Sequence, residues 1–188
     1  MSLRERWIAV IHRAATGTKR ARTLLTPVGV AVFGGFTALF VLAGIAVDAL
    51  LTLPQLLPER ARLPLAVPVL AAGLGLTAWS AFHFLRARGT PVPFNPPPRL
   101  VTSGPYGLAR NPMLTGVFLF LFGLGFAMTS ISLVLVFVPL FIVANVWELK
   151  AIEEPELVKR LGDEYAEYRR RTPMFVPRLL RGGGRRTR

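Results

Sequence analysis

At 188 residues the chain has the length of one domain. It combines 52% hydrophobic residues and a mean hydropathy of +0.47 with a formal net charge of +13. Its lack of cysteine excludes disulfides, thiolate metal sites, iron–sulfur clusters and cysteine nucleophiles. The two histidines, His12 and His83, are too far apart for a local histidine metal motif.

Charges and apolar runs occupy separate blocks, the pattern of a polytopic membrane protein with basic flanks. The spacing predicts an all-α membrane domain over 1–188 with four transmembrane helices. It comprises a basic interfacial segment (1–26), two spans (27–88), a connector, hairpin and C-terminal helical region (89–178) and a basic tail (179–188). The basic stretch through Arg22 is too long for the n-region of a signal peptide, so no cleaved leader is expected.

Over 3–14, Leu3, Trp7, Val10, Ile11 and Ala14 recur at helical spacing while Arg4, Arg6 and Arg13 fall mostly elsewhere. This reads as a short amphipathic helix on an anionic membrane surface, or as a solvated basic tail. The first span is 28–53, whose single charge, Asp48, lies near the far end within reach of the interface; the competing reading is a buried functional carboxylate. A short loop (54–64) leads to the second span, 65–85. There GLGLTA (73–78) matches a dinucleotide-binding pattern, but with no preceding strand the small residues are better read as a helix-packing seam. His83, near the end of this span, reads as a packing or interfacial residue, with catalysis as the alternative.

The connector, 89–112, holds seven prolines in 24 residues, a density that forbids a regular helix and favours a stiff, partly polyproline path. Residues 113–147 then run 35 positions without a charge. Met128, Thr129 and Ser130 offer a polar break with a cap, which predicts a tight helical hairpin with arms of about 25 Å. Pro139 is expected to kink the second arm and Trp147 to sit at the interface. Beyond Lys150 the chain is polar: Pro155 suits the first turn of a short helix, Gly162 its end, and Asp163 the cap of a second helix carrying Tyr165 and Tyr168 on one face. The basic tail from Arg181 is expected to be disordered.

Lys and Arg are distributed as six in 1–22, two in 54–64, four in 86–112 and eleven in 150–188. With four spans, the positive-inside rule puts both termini and the connector in the cytoplasm. The hairpin then gathers GPYGLARNPM (104–113) and the acids Glu148, Glu153, Glu154 and Glu156 at one membrane face. Arg110 and a helix start suit an anionic group; the carboxylates suit a cation, an amine or ribose hydroxyls, unless they merely pair with nearby Lys and Arg on a solvated face.

Residues 89–178 resemble the membrane-embedded methyltransferases that include isoprenylcysteine carboxyl methyltransferases and phospholipid methyltransferases. The likeness is carried by GTPVPF (89–94), LVTSGPY (100–106), Arg110-Asn111-Pro112-Met113 with Gly116, and Glu153-Glu154 followed by Leu157. Gly162, Tyr165, Tyr168 and the arginines before Pro173 extend it. The resemblance implies S-adenosylmethionine-dependent methylation of a lipidic or prenylated substrate, on a carboxylate or an amine, at the cytoplasmic membrane face; the Arg-rich, Ala/Leu-rich composition without an organelle signal fits a bacterial inner membrane. It implies Arg110, Glu153 and Glu154 as catalytic residues and Tyr106, Arg110, Asn111, Pro112, Gly116, Glu153 and Glu154 as the cofactor pocket, without a metal. Asn111 stands where many members have histidine, so hydrogen bonding is retained there and proton transfer is not. Two other readings are an NADPH-dependent reductase of the sterol-reductase type and a non-catalytic membrane assembly protein. The basic charge follows the membrane pattern and does not imply nucleic acid; anionic headgroups at the basic termini are the expected lipid partners.

Overall fold

The computed structural model of the chain describes residues 3–90, 92–93 and 95–175, so the basic tail lies outside the described residues. Among these, all regular structure is helical: α1 (Leu3–Ala15), α2 (Lys19–Leu50), α3 (Glu59–Arg86), α4 (Pro112–Ala127), α5 (Leu133–Leu161) and α6 (Asp163–Arg171). Three of them, α2, α3 and α5, are long and apolar enough to cross a membrane. The fourth expected span, α4, has 16 residues, about 24 Å against a hydrocarbon thickness of about 30 Å. The 35-residue apolar run divides nearly in half at Met128–Ser130, which leaves the first arm short; the second gains its length by running on past Trp147.

The second arm does not stop at Trp147, and no separate helix starts at Pro155. Instead α5 continues through both prolines expected to interrupt or begin a helix. A π-helical turn, Leu133–Phe137, precedes Pro139, and another, Leu149–Glu153, precedes Pro155. In a regular helix a proline lacks its N–H and its ring collides with the carbonyl four residues back. The wider π turn accommodates that ring, so the helical run continues past it. The carbonyl left over behind Pro155, that of Ala151, accepts a hydrogen bond from Arg4 Nε at 2.7 Å, which docks α1 against α5. Asp163 is the first helical residue of α6 rather than its cap; Gly162, at φ +59°, makes the turn between α5 and α6.

The expected hairpin link between α4 and α5 forms, with Thr129 at φ +51° and the Ser130 hydroxyl accepting the Leu133 N–H at 3.1 Å. The closest seam of α4, however, is with α3, to which it runs antiparallel. Gly73 and Gly116 face each other there so closely that a Cβ on Gly73 would lie 2.5 Å from the Phe120 nitrogen. Within the GLGLTA stretch, Gly73 and Thr77 thus pack against α4, while Gly75 faces open space. On its other side α4 shares a core with α5 (Phe118, Leu121, Leu133, Val138 and Phe141), against which α2 lays Phe36 and Phe40, each with its ring 5.4 Å from that of Phe141.

The end of the bundle away from the connector is closed by charged caps. Asp48 accepts the Ser132 N–H at 3.0 Å and the Ser130 hydroxyl at the start of α5, where backbone N–H groups are otherwise unpaired. Arg62 Nε donates to the Ala127 carbonyl at the end of α4 at 2.5 Å. Asp48 is thus a helix-capping carboxylate.

The glycine seam yields a paired expectation. Gly73→Ala forces backbone apart and lowers stability by about 1–3 kcal/mol, whereas Gly75→Ala, with nothing within 4 Å of its added Cβ, leaves stability unchanged or raises it. Thermal unfolding of both variants in one detergent checks this; equal losses would remove the seam as the reason for glycine at 73.

Candidate functional site

The connector follows a fixed path although its prolines supply few N–H donors, because side chains anchor it. The Thr90 N–H donates to the Asn95 carbonyl at 2.8 Å and the Asn95 N–H to that of Val92 at 2.9 Å, closing a turn. Arg22 of α2 donates to the Pro96 carbonyl at 2.7 Å, and the Asn95 amide to the Thr26 hydroxyl at 3.1 Å. Further along, Gly104 adopts φ +59°, and a Cβ there would stand 2.2 Å from His83 Nε2. Only glycine fits both the conformation and the imidazole. The Pro105 ring then starts a single 3-10 turn that buries Tyr106. Tyr106 packs edge-on to Phe84 with ring centroids 4.9 Å apart, and its carbonyl accepts the Tyr168 hydroxyl at 2.7 Å.

The next residues join the end of the chain's described part. The Arg110 N–H donates to the Pro173 carbonyl at 2.8 Å and the Asn111 N–H to that of Met174 at 3.0 Å. Arg110 Nε donates to the Thr172 carbonyl at 3.0 Å, and its Nη1 forms an ion pair with Glu154 and lies 3.4 Å from the Tyr165 hydroxyl. Arg169 of α6 approaches the other Glu154 oxygen at 3.6 Å. The Arg110 and Glu154 side chains are each only 11% exposed, so this pair is charge withdrawn from water and held by complementary hydrogen bonds.

Above this clamp opens a cavity walled by α1 (Ile11), α3 (Phe84), the connector, α5 and α6. The space open to the centre of a water-sized sphere is about 100 Å³, several times what one water needs. Its wall is mainly apolar, with Val92, Pro96, Pro97, Leu100, Leu157 and Leu161, and a few polar groups converge on it. Glu148 and Glu153 stand one π turn apart on α5, both toward the cavity, with no hydrogen bond or ion pair to another described residue. Glu156 lines it too, but is held by Arg160 Nε at 3.0 Å and lies 3.2 Å from His12 Nδ1. The Tyr106 hydroxyl is buried and has no hydrogen-bond partner among the described residues. Burial raises the Tyr106 and Tyr168 hydroxyls well above the usual phenol range, and burial together with the charge of Glu154 pushes Tyr165 up to about 12. All three therefore remain neutral and able to donate.

Of the residues anticipated from sequence, Tyr106, Arg110, Asn111 and Glu153 line the cavity. Glu154 lies behind it in the clamp, Pro112 is buried as the first residue of α4, and Gly116 sits in the α3–α4 seam, where a Cβ would lie 2.4 Å from the Thr77 hydroxyl. Sequence reasoning placed Ile11 on the membrane-facing apolar stripe and assigned neither His12 nor Arg99 to the site. Ile11 instead lines the cavity and His12 meets Glu156, both on a stripe with Arg4, Ile8 and Ala15 that helical spacing also allows.

A model of the phospholipid methyltransferase family matches residues 61–164. Two bacterial proteins are similar over 80 residues, or 43% of this chain. The nickel-cobalt-cadmium resistance protein NccN of Alcaligenes xylosoxydans xylosoxydans is 38% identical, over 37% of its own length. The cobalt-zinc-cadmium resistance protein CzcN of Cupriavidus metallidurans is 39% identical, over 36% of its own length. The chain thus matches little more than a third of the length of these curated relatives. No solved structure matches.

The clamp is measurable by a double-mutant cycle. Arg110→Ala or Glu154→Ala alone removes the nearest ionic partner of a buried charge and costs about 3 kcal/mol. The double variant should lose clearly less than the sum, because the two changes share one interaction. Additive losses in denaturation midpoint would show that the pair is not coupled.

Proposed function

The chain belongs to the phospholipid methyltransferase family, and on that premise we propose that it transfers a methyl group from S-adenosylmethionine to a lipidic or prenylated acceptor at the cytoplasmic face of a bacterial inner membrane. The observation that carries this reading is the convergence, in one mainly apolar cavity, of two unpaired carboxylates, an orphaned tyrosine hydroxyl and arginines. A ligand that bears positive and negative charge together with hydroxyls matches that donor set. Glu148 and Glu153 suit its cationic centres, Arg99 or Arg110 its carboxylate, and the Tyr106 hydroxyl and Asn111 amide its neutral polar edges. When bound, the cofactor supplies the methyl group on a sulfonium that becomes neutral as the methyl leaves.

The chain's own part is then to position and to exclude water, contributions that suit an in-line displacement. The Arg110–Glu154 clamp holds the connector over the cavity, and the buried tyrosines keep its floor rigid. A carboxylate acceptor needs no base. An amine acceptor must lose a proton, and Glu153, with Glu148 beside it, is placed on the wall to take one. Asn111 orients without titrating. For the membrane arrangement we read α4 as a fourth crossing antiparallel to α3, which leaves the connector and both termini together on the Lys/Arg-rich side. The relatives' names concern nickel, cobalt, zinc and cadmium resistance; among the described residues no group of three or more His, Cys, Asp or Glu is arranged to hold a metal ion.

Titration of the purified protein with S-adenosylmethionine and, separately, with NADPH tests the proposal. S-adenosylmethionine should bind, and Glu153→Gln and Tyr106→Phe should each weaken it about tenfold, or about 1.4 kcal/mol. Absence of binding in several detergents, or unchanged affinity in both variants, overturns the assignment. Transfer of labelled methyl into membrane lipid extracts or a prenylcysteine analogue then identifies the acceptor class.

A further inference from the structure

Helix α1 presents two faces, and the cavity uses one of them. The inner face carries Arg4, Ile8, Ile11, His12 and Ala15. Arg4 holds the Ala151 carbonyl at 2.7 Å, His12 meets Glu156 at 3.2 Å, Ala15 is buried, and Ile11 lines the cavity. The outer face, about 120° wide at 100° per residue, carries Trp7, Val10 and Ala14 with Arg6 and Arg13 along one edge. Trp7 is 57% and Val10 47% exposed, and both arginines are exposed. Glu5 lies off this face, toward the inner side of the helix.

The position of α1 is constrained. Residues 16–18 alone join it to α2, a 32-residue helix of about 48 Å that exceeds the hydrocarbon thickness by several turns. The first turns of α2, with Lys19, Arg20 and Arg22, therefore lie outside the hydrocarbon, and α1 is held at headgroup depth beside them. A tryptophan and a valine flanked by arginines at that depth match an anionic phospholipid surface: the indole suits the interface and the guanidinium groups suit phosphate.

We propose that the outer face of α1 docks on the anionic headgroups of the bilayer and that this docking fixes the cavity wall formed by its inner face, so that anionic phospholipid completes the site. Membrane and cavity are then coupled through one rigid helix: the lipid holds Trp7, Arg6 and Arg13, and the opposite stripe holds Glu156, the Ala151 carbonyl and the apolar wall at Ile11. The inference does not depend on which ligand the cavity takes.

The test uses the whole protein without added ligand, in vesicles of phosphatidylcholine alone and of phosphatidylcholine mixed with phosphatidylglycerol. Two readouts apply: hydrogen exchange over 3–15 and over 151–157, and quenching of Trp7 by brominated lipid in a Trp79→Phe/Trp147→Phe background. Phosphatidylglycerol should slow exchange in both segments and increase Trp7 quenching. Arg6→Gln and Arg13→Gln should each weaken the docking equilibrium about fivefold, and the double variant should lose the lipid response in both segments while showing the same exchange and quenching in phosphatidylcholine vesicles as the unchanged chain does. Identical exchange and quenching in the two vesicle types overturns the docking. Slowing over 3–15 with none over 151–157 overturns the coupling. Because neither readout involves S-adenosylmethionine, failure here is distinguishable from failure of the methyltransferase reading.

Discussion

The carboxylate of Glu154, set between Arg110 and Arg169, ties the connector to α5 and α6 by charge. The connector enters the site poor in backbone donors, because seven of its 24 residues are prolines. It has little means of pairing with itself, so its path depends on a few directed bonds from outside. Arg110 concentrates those bonds: its backbone N–H, its Nε and its Nη1 each reach a different part of the C-terminal region. An ion pair so far from solvent contributes less to net stability than to uniqueness of arrangement, since either charge alone would be costly to keep buried. This is a reason for such a pair in a protein that must hold a loop still over a cavity.

A second device is the π turn before Pro155. The extra residue per turn that accommodates the proline also sets Glu148 and Glu153 on one side of α5 and leaves the Ala151 carbonyl for Arg4. One local departure from α geometry thus places two carboxylates in the cavity and docks the N-terminal helix that walls it. In a regular helix residues five apart diverge around the axis, and the acidic pair would not face one ligand together.

The two ends of the bundle differ in a way that follows from these bonds. At one end Asp48 and Arg62 satisfy the exposed helix termini and close the structure. At the other, the connector, α1 and α6 cover the helix ends and leave a cavity between them. The cavity is what remains, and among its polar groups Glu148, Glu153 and the Tyr106 hydroxyl have no hydrogen-bond partner among the described residues.

How far all this could be read in advance depended on whether the signal was local. Composition and period alone established an all-helical chain with membrane-length spans, the proline-stiffened connector, the break at Met128–Ser130 and the packing role of the small residues near Gly73. The gathering of Tyr106, Arg110, Asn111 and Glu153 near one cavity was also legible, because matching segments in a fixed order carry it. What was not legible was how helices end and which side chains pair. Pro155 looked like a helix start because sequence spacing assumes α geometry, and the π turn that carries α5 past it is stabilised by Arg4, about 150 residues away. Glu153 and Glu154 are adjacent and chemically alike, yet one opens to the cavity and the other is buried in the clamp. Residue type and spacing determined that carboxylates would be at this face; only the tertiary structure, by deciding which of them meets a guanidinium, determined which remains free to meet a ligand.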